Sequence, residues 1–131
     1  MEKEEKDESA LGEVDISDEV IRSIVGAAAL EVDGVVGMRG GIFVGLKEAA
    51  TGKRDYSKGI EVKRLPEENA CVLDLFMIMD YSVNLVEVAK KVQAVAKEKV
   101  EAQTGKKVKE VNVHVVDIKF PEARSTEAEK T

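Results

Sequence analysis

The fold of this chain is decided by residues 70–118, which read ACVLDLFMIMDYSVNLVEVAKKVQAVAKEKVEAQTGKKVKEVNVHVVDI. The first part, 70–81, alternates along its length and predicts a long strand with two distinct faces. Residues 85–104 repeat valine, leucine and alanine at helical spacing behind a predicted N-cap at Asn84. The last part, 109–118, alternates again. Strand, helix and strand in this order predict a right-handed crossover that places two parallel strands in one sheet.

The segment before this unit predicts one more helix, with Ser17 as its N-cap and Gly34 at its end. Its apolar side chains recur on one face. Three short apolar pairs predict weaker strands: Val14 with Ile16, Val35 with Val36, and Ile60 with Val62. The sequence therefore predicts an α+β fold, in which a mixed β-sheet carries two main helices on one face and has split β-α-β character.

The composition is that of one globular domain between polar ends. The chain has 131 residues, of which 44% are hydrophobic, and this is enough for a single aliphatic core. Residues 1–11 and 121–131 are polar and charged, so we expect two disordered tails, the first of them acidic. The domain itself is predicted to span residues 12–120.

The charge and the hydropathy pattern exclude several classes of protein. The net charge is −6, whereas modules that bind duplex nucleic acid usually present a basic face. No stretch approaches the roughly 20 apolar residues that cross a bilayer. The N-terminus has no apolar segment of the kind found in secretion signals. We therefore expect a cytoplasmic protein with no direct membrane insertion, whose membrane association, if any, runs through a partner.

The inventory of reactive side chains argues against catalysis. The chain has one cysteine, Cys71, and one histidine, His114, which are too few for a tetrahedral metal site. Cys71 is in phase with Leu73 and Leu75, so we interpret it as a core residue rather than a nucleophile. His114 alternates with Asn112 and is interpreted as a surface histidine. We expect no enzyme activity, no metal and no cofactor.

A glycine-rich segment, 37–59, is the least regular part of the predicted domain. It contains Gly37-Met38-Arg39-Gly40, which matches the GxxG loop of KH domains that bind RNA. In KH domains that loop joins two helices, whereas here a predicted strand precedes it. An RNA-binding module that uses Gly37–Gly40 is thus the alternative function, and the preferred interpretation of the segment is a mobile or partner-binding loop.

The long strand predicts an apolar surface that the helices do not cover. If both helices pack on the face of Leu73 and Leu75, the side chains of Val72, Phe76 and Ile78 point the other way. Either the glycine-rich segment folds back over them, or another chain does. Exposed sheet edges offer a second route to assembly. The candidate interaction residues are Phe76, Ile78, Val72, Ile42, Phe43, Leu46, Lys53 and Arg54.

Three stretches of the chain resemble the alkaline shock protein family: GEVDISDEVI at 12–21, EVDGVVGM at 31–38 and VKEVNVHV at 108–115. The resemblance covers roughly residues 12–118 and includes the YloU-like and YqhY-like envelope stress response proteins of Gram-positive bacteria. It implies a cytoplasmic, non-catalytic scaffold that self-associates into a homo-oligomer. It also implies a partner that is a membrane-anchor protein or a protein of lipid metabolism. The family has no catalytic motif to transfer to this chain.

Overall fold

The computed structural model describes residues 11–41 and 55–121 of the chain. In order, the elements are α1 (Asp18–Leu30), β1 (Val35–Met38), β2 (Ile60–Leu65), β3 (Ala70–Asp80), α2 (Leu85–Thr104) and β4 (Lys107–Lys119). A single 3₁₀ turn, Pro66–Glu68, joins β2 to β3. The two predicted tails fall almost wholly outside the described residues, so their disorder stays a prediction.

Both helices begin at the side chains that the sequence indicates. The Ser17 hydroxyl accepts a hydrogen bond from the backbone N–H of Val20, and the Asn84 side chain accepts one from Glu87. Each bond satisfies an N–H that has no partner inside its helix. At the other end of α2, Gly105 takes a left-handed conformation with φ of 77°.

Strand β3 is the centre of a mixed sheet. Along one edge it pairs in parallel with β4, and helix α2 connects the two strands. Along the other edge β2 pairs antiparallel with residues 70–75, and β1 pairs antiparallel with residues 77–79. Strands β1 and β2 therefore lie end to end and act as one interrupted edge strand. These observations confirm the α+β fold with a mixed sheet and a β-α-β unit.

The core lies between the helices and one face of β3. The side chains of Cys71, Leu73, Leu75, Met77 and Met79 are all 0% exposed. They form one apolar cluster with buried residues of both helices, among them Ile21, Val25, Val92, Ala96 and Val100. The two helices are thus confirmed on a single face of the sheet, and the assignment of Cys71 to the core is confirmed as well.

The weak strand predicted at Val14 and Ile16 is wrong. Residues 11–17, the described segment before α1, form an isolated β-bridge at Glu13 but no strand of the sheet, and Val14 is 73% exposed. Ile16 packs against the core, and its carbonyl accepts a hydrogen bond of 2.6 Å from Arg64 on β2. Arg64 also pairs with Asp18 at 2.6 Å, so its guanidinium contributes to holding this segment against the sheet.

Between β1 and β2 the chain leaves the sheet and rejoins it at nearly the same place, where Arg39 and Gly41 lie beside Lys58 and Gly59. A Cβ on Gly59 would lie 3.0 Å from the carbonyl oxygen of Arg39, and one on Gly41 would lie 2.9 Å from Cβ of Lys58. Such close approach requires glycine on at least one side. The intervening residues start and finish beside the middle of β3.

Candidate interaction surface on the sheet

The second face of β3 carries no helix within the described chain. Along this strand the burial alternates between fully buried and half-buried side chains. Val72, Phe76 and Ile78 are the half-buried apolar residues, and they point away from both helices. We call this surface the open face. The sequence prediction that these three side chains point away from the core is confirmed, whereas their role in binding stays a prediction.

Phe76 forms the centre of a row of side chains that crosses the open face. On the β1 side, the guanidinium carbon of Arg39 lies 4.3 Å from the centre of the Phe76 ring. On the β4 side, the His114 ring stacks on Phe76 with centroids 4.6 Å apart and planes 14° from parallel. The register explains the row, because His114 pairs with Phe76 across the parallel ladder and the Arg39 N–H bonds to the Phe76 carbonyl.

Asp74 completes the row. Its carboxylate lies 3.0 Å from Nε2 of His114, with the two side chains 30% and 45% exposed. A cation on one side of the aromatic ring and a histidine–carboxylate pair on the other fix the orientation of Phe76 without covering it. Aromatic and arginine side chains held in this way are frequent at the centres of protein interfaces.

The margins of the open face are charged. On β2 the side chain of Lys63 is exposed beside Val72, and on β4 Glu110 is exposed on the other side of Val72. Asp117 and Lys119 of β4 continue the charged margin beside Ile78 and Asp80. An apolar centre with a charged rim is the arrangement found in specific, reversible interfaces.

Five of the predicted interaction residues lie outside the described residues: Ile42, Phe43, Leu46, Lys53 and Arg54. The structure therefore brings together only Val72, Phe76 and Ile78 of the predicted set. The two alternatives for the cover of the open face, the 42–54 segment or another chain, both remain open.

Sequence reasoning misses the roles of Arg39, Asp74 and His114. It makes His114 a surface histidine, and this side chain is indeed 45% exposed. The useful signal is the β-α-β order, which predicts that β3 and β4 are neighbours. The register that sets His114 against Phe76 depends on two β-bulges in β4, near Lys109 and Val116, which alternation alone does not reveal.

Among the described residues, the side chains of the open face are suited to recognition. Across residues 11–41 and 55–121, no group of three or more histidine, cysteine or acidic side chains is placed to hold a metal ion. Burial raises the pKa of the Cys71 thiol above its ordinary value, so it stays protonated inside the core. Arg39, Phe76 and His114 offer contacts for recognition and contain no activated nucleophile.

The GxxG stretch does not have the geometry of a KH loop. Gly37 and Met38 are part of β1 and pair with β3, and the chain turns only at Arg39 and Gly40. A strand therefore occupies the place where the KH motif has the end of a helix. The RNA-binding alternative gains no support from this arrangement.

Within the described residues, fold and surface together define a two-layer α+β domain whose two helices cover one side of the sheet. The chain belongs to the alkaline shock protein 23 family, which is described as having a cell envelope-related function and whose model matches residues 6–120. This membership confirms the resemblance drawn from the sequence, and it implies an envelope-related stress function.

Two curated relatives show how far the similarity extends. The "Uncharacterized protein YqhY" of Bacillus subtilis (strain 168) is 34% identical over 118 residues, which are 90% of this chain and 85% of that protein. The "Stress response regulator gls24 homolog" of Streptococcus pyogenes serotype M3 is 34% identical over 119 residues, or 91% of this chain. This chain spans 64% of the length of that homologue. Both names describe a regulator or an uncharacterised protein rather than an enzyme.

Among solved structures, the chain is similar to "MamM-CTD H285A", with a TM-score of 0.46 and 14% identity. The overlap covers 81% of this chain and all of that one. At this TM-score the likeness has no bearing on function. Among the helices of the described residues, none combines the length and the hydropathy that a membrane crossing requires.

Proposed function

We propose that this protein is a non-enzymatic scaffold of the cell-envelope stress response, which acts by binding itself and other proteins through the open face. The observation that carries the proposal is the half-buried apolar strip of Val72, Phe76 and Ile78, on the sheet face opposite the two helices of the described residues. Burying that strip against a partner would contribute roughly 25 cal/mol for each Å² of apolar surface removed from water.

Two further features support a protein partner rather than a small molecule. The central ring of the open face is already oriented by Arg39 and His114, so little side-chain freedom would be lost on binding. The charged margins of the open face surround an apolar centre. Its rim carries both signs of charge, on Lys63 and Glu110 for example, and this favours a specific partner over a nonspecific one.

We propose the partner classes that the resemblance of the sequence implies. Besides a second copy of this chain, we propose a membrane-anchor protein or a protein of lipid metabolism as the other partner. In this proposal the protein is cytoplasmic and reaches the membrane only through that partner. The acidic balance of the chain, −6 overall, favours protein contacts over nucleic acid.

The test compares the association of wild type and Phe76→Asp by sedimentation velocity over a range of micromolar concentrations. We expect the wild type to associate, and we expect the variant to associate less, because a carboxylate on the open face would lose its hydration in the contact. Ala94→Asp is the matched control, since it adds the same charge at an exposed position of α2. A wild type that is monomeric throughout would contradict self-association, and equal behaviour of the two Asp variants would contradict the role of the open face.

A further inference from the structure

The outer edge of β4 is closed by α2 over its first half only. The Glu101 carboxylate accepts the Val108 N–H at 2.9 Å, and Lys97 donates to the Val108 carbonyl at 3.1 Å. Gln93 donates to the Val111 carbonyl at 2.9 Å. These helix residues are spaced four apart, so they form one stripe that bonds the edge of the sheet.

The stripe stops at Ala89, which is the next position, four residues before Gln93. Its methyl group has no donor or acceptor for the strand, and a groove of 350 Å³ opens there between the helix and β4. The groove is lined mainly by apolar side chains, including Leu85, Val86, Val113 and Val115. Val86 is 63% exposed although it is a large apolar residue.

The backbone of β4 is free at this opening. At the two ends of β4, the backbone of Lys107 and Lys119 bonds to the β3 side, at Asn69 and Tyr81. The ladder between them turns the N–H and C=O groups of Val113 and Val115 to the opposite side, away from β3. Within the described part of the chain, no group bonds to them there. On the far side, the Ile118 N–H is satisfied at 2.8 Å by the Asp117 side chain. The unbonded window therefore runs from Val113 to Val116, the residue of the second bulge, and its Val113–Val115 part is centred on His114.

We propose that a second copy of this chain adds to this edge, with the two β4 strands antiparallel about a two-fold axis at His114. In this arrangement Val113 of each copy pairs with Val115 of the other and exchanges both backbone hydrogen bonds. The pairing is self-complementary, because Val113 and Val115 are equally distant from the axis, and the bulge residue Val116 lies outside it.

The side chains on both faces of β4 fit the same axis. Counted along the rungs of the ladder with β3, Glu110 lies as far on one side of His114 as Lys119 lies on the other. Each Asn112 would thus lie beside the partner subunit's Asp117. Glu110 and the partner's Lys119 would lie further out, at the ends of the contact, where α2 already bonds the edge of β4. On the helix side the partner's Val115 would lie against Val113 and close the groove. Opposite charges and apolar pairs in direct cross-strand positions stabilise a sheet.

This inference deepens the proposed function by identifying one contact between copies of the chain. It rests on the proposed function in one respect, that the chain associates with itself. The edge contact leaves the open faces uncovered and places both on the same side of one continuous sheet. The dimer would then present two Phe76 rows to a further partner, which raises affinity by avidity.

A cysteine cross-link tests the axis directly. In the proposed dimer, residue 114 faces its own copy as a non-hydrogen-bonded pair, with Cα atoms about 4.5 Å apart, which a disulfide spans. We expect His114→Cys to form a disulfide-linked dimer under mild copper–phenanthroline oxidation. Glu110→Cys is the matched control on the same face of the same strand, where the two introduced thiols would lie on the order of 25 Å apart. Wild type, whose Cys71 is fully buried, gives the background.

The cross-link is repeated in a Phe76→Asp background, so that failure of the edge contact is distinguished from failure of the proposed function. Persistence of the cross-link there, with loss of larger assemblies, supports both proposals as separate contacts. A His114→Cys dimer no more abundant than that of Glu110→Cys overturns the edge contact, whatever the open face does. That result would also follow if an extended peptide of another protein were the true occupant of the edge.

Charge reversal gives a second test that needs no cysteine. Lys119→Glu should weaken the dimer by roughly threefold in Kd, because the introduced carboxylate would repel Glu110 of the partner subunit at both ends of the contact. The double variant Glu110→Lys with Lys119→Glu should restore the wild-type Kd. Dimers of equal stability in all three proteins, measured by sedimentation equilibrium, would overturn the proposed register.

Discussion

At the scale of single residues, Glu101 joins a helix to a strand edge and has a pH-dependent effect on stability. The hydrogen bond from Lys97, followed by that from the Val108 N–H, holds the pKa of Glu101 below its ordinary value. A carboxylate with a lowered pKa stabilises the folded state above the ordinary pKa, and this stabilisation is lost as the pH falls through the lowered one. We expect Glu101→Gln to reduce the free energy of unfolding by about 0.5 kcal/mol at neutral pH, since the partly exposed pair is screened by solvent.

The measurement is urea denaturation at neutral pH and again at a pH below the lowered pKa, where the difference from wild type should vanish. Glu98→Gln is the control, because Glu98 is exposed on the same helix and has no partner among the described residues. A Glu101→Gln deficit that stays constant with pH would show that the charge is not the source of the effect.

The same residue shows what a sequence can and cannot predict. Helical periodicity correctly separates the buried stripe of α2 from its polar side, and it assigns Lys97 and Glu101 to the polar side. It does not reveal that both reach past the helix to the backbone of Val108. Such contacts depend on the distance between α2 and β4, which is set by packing in three dimensions.

At the scale of elements, the N-cap of α2 fixes where the crossover begins. Asn84 accepts the Glu87 N–H at 3.0 Å, and no intrahelical carbonyl is available to replace it. We expect Asn84→Ala to cost about 1 kcal/mol of stability and Asn84→Asp to cost little, because aspartate caps equally well. Thermal unfolding followed by circular dichroism measures both. Equal losses in the two variants would mean that the cap bond does not contribute.

The elements themselves were predictable, whereas their pairing was not. The predicted helix at 85–104 has the bounds observed for α2, and the predicted strands at 70–81 and 109–118 differ from β3 and β4 by only a few residues. Local caps and alternation set these bounds. The end-to-end placement of β1 and β2 on one edge depends on the close approach at Gly59, which is a long-range contact without a local signal.

At the scale of the whole molecule, two neighbouring residues of β3 show that burial differs between the two faces of the sheet. Leu75 is 0% exposed under the helices, whereas Phe76 is half-buried on the open face. We expect Leu75→Ala to cost about 2–5 kcal/mol, as for a typical buried leucine. Phe76→Ala should cost about 1 kcal/mol, because only part of the ring is withdrawn from water.

Guanidinium denaturation of both variants, at concentrations low enough to keep the chain unassociated, checks this difference. It also decides between the two covers of the open face that the sequence leaves open. If the 42–54 segment covered Phe76 within one chain, the ring would be part of a second core, and Phe76→Ala would approach the cost of Leu75→Ala. If another molecule covers Phe76, Phe76→Ala should lose much less stability than Leu75→Ala at low protein concentration. Its deficit relative to wild type should then grow when the measurement is repeated at higher concentrations, because only burial against a second molecule depends on mass action.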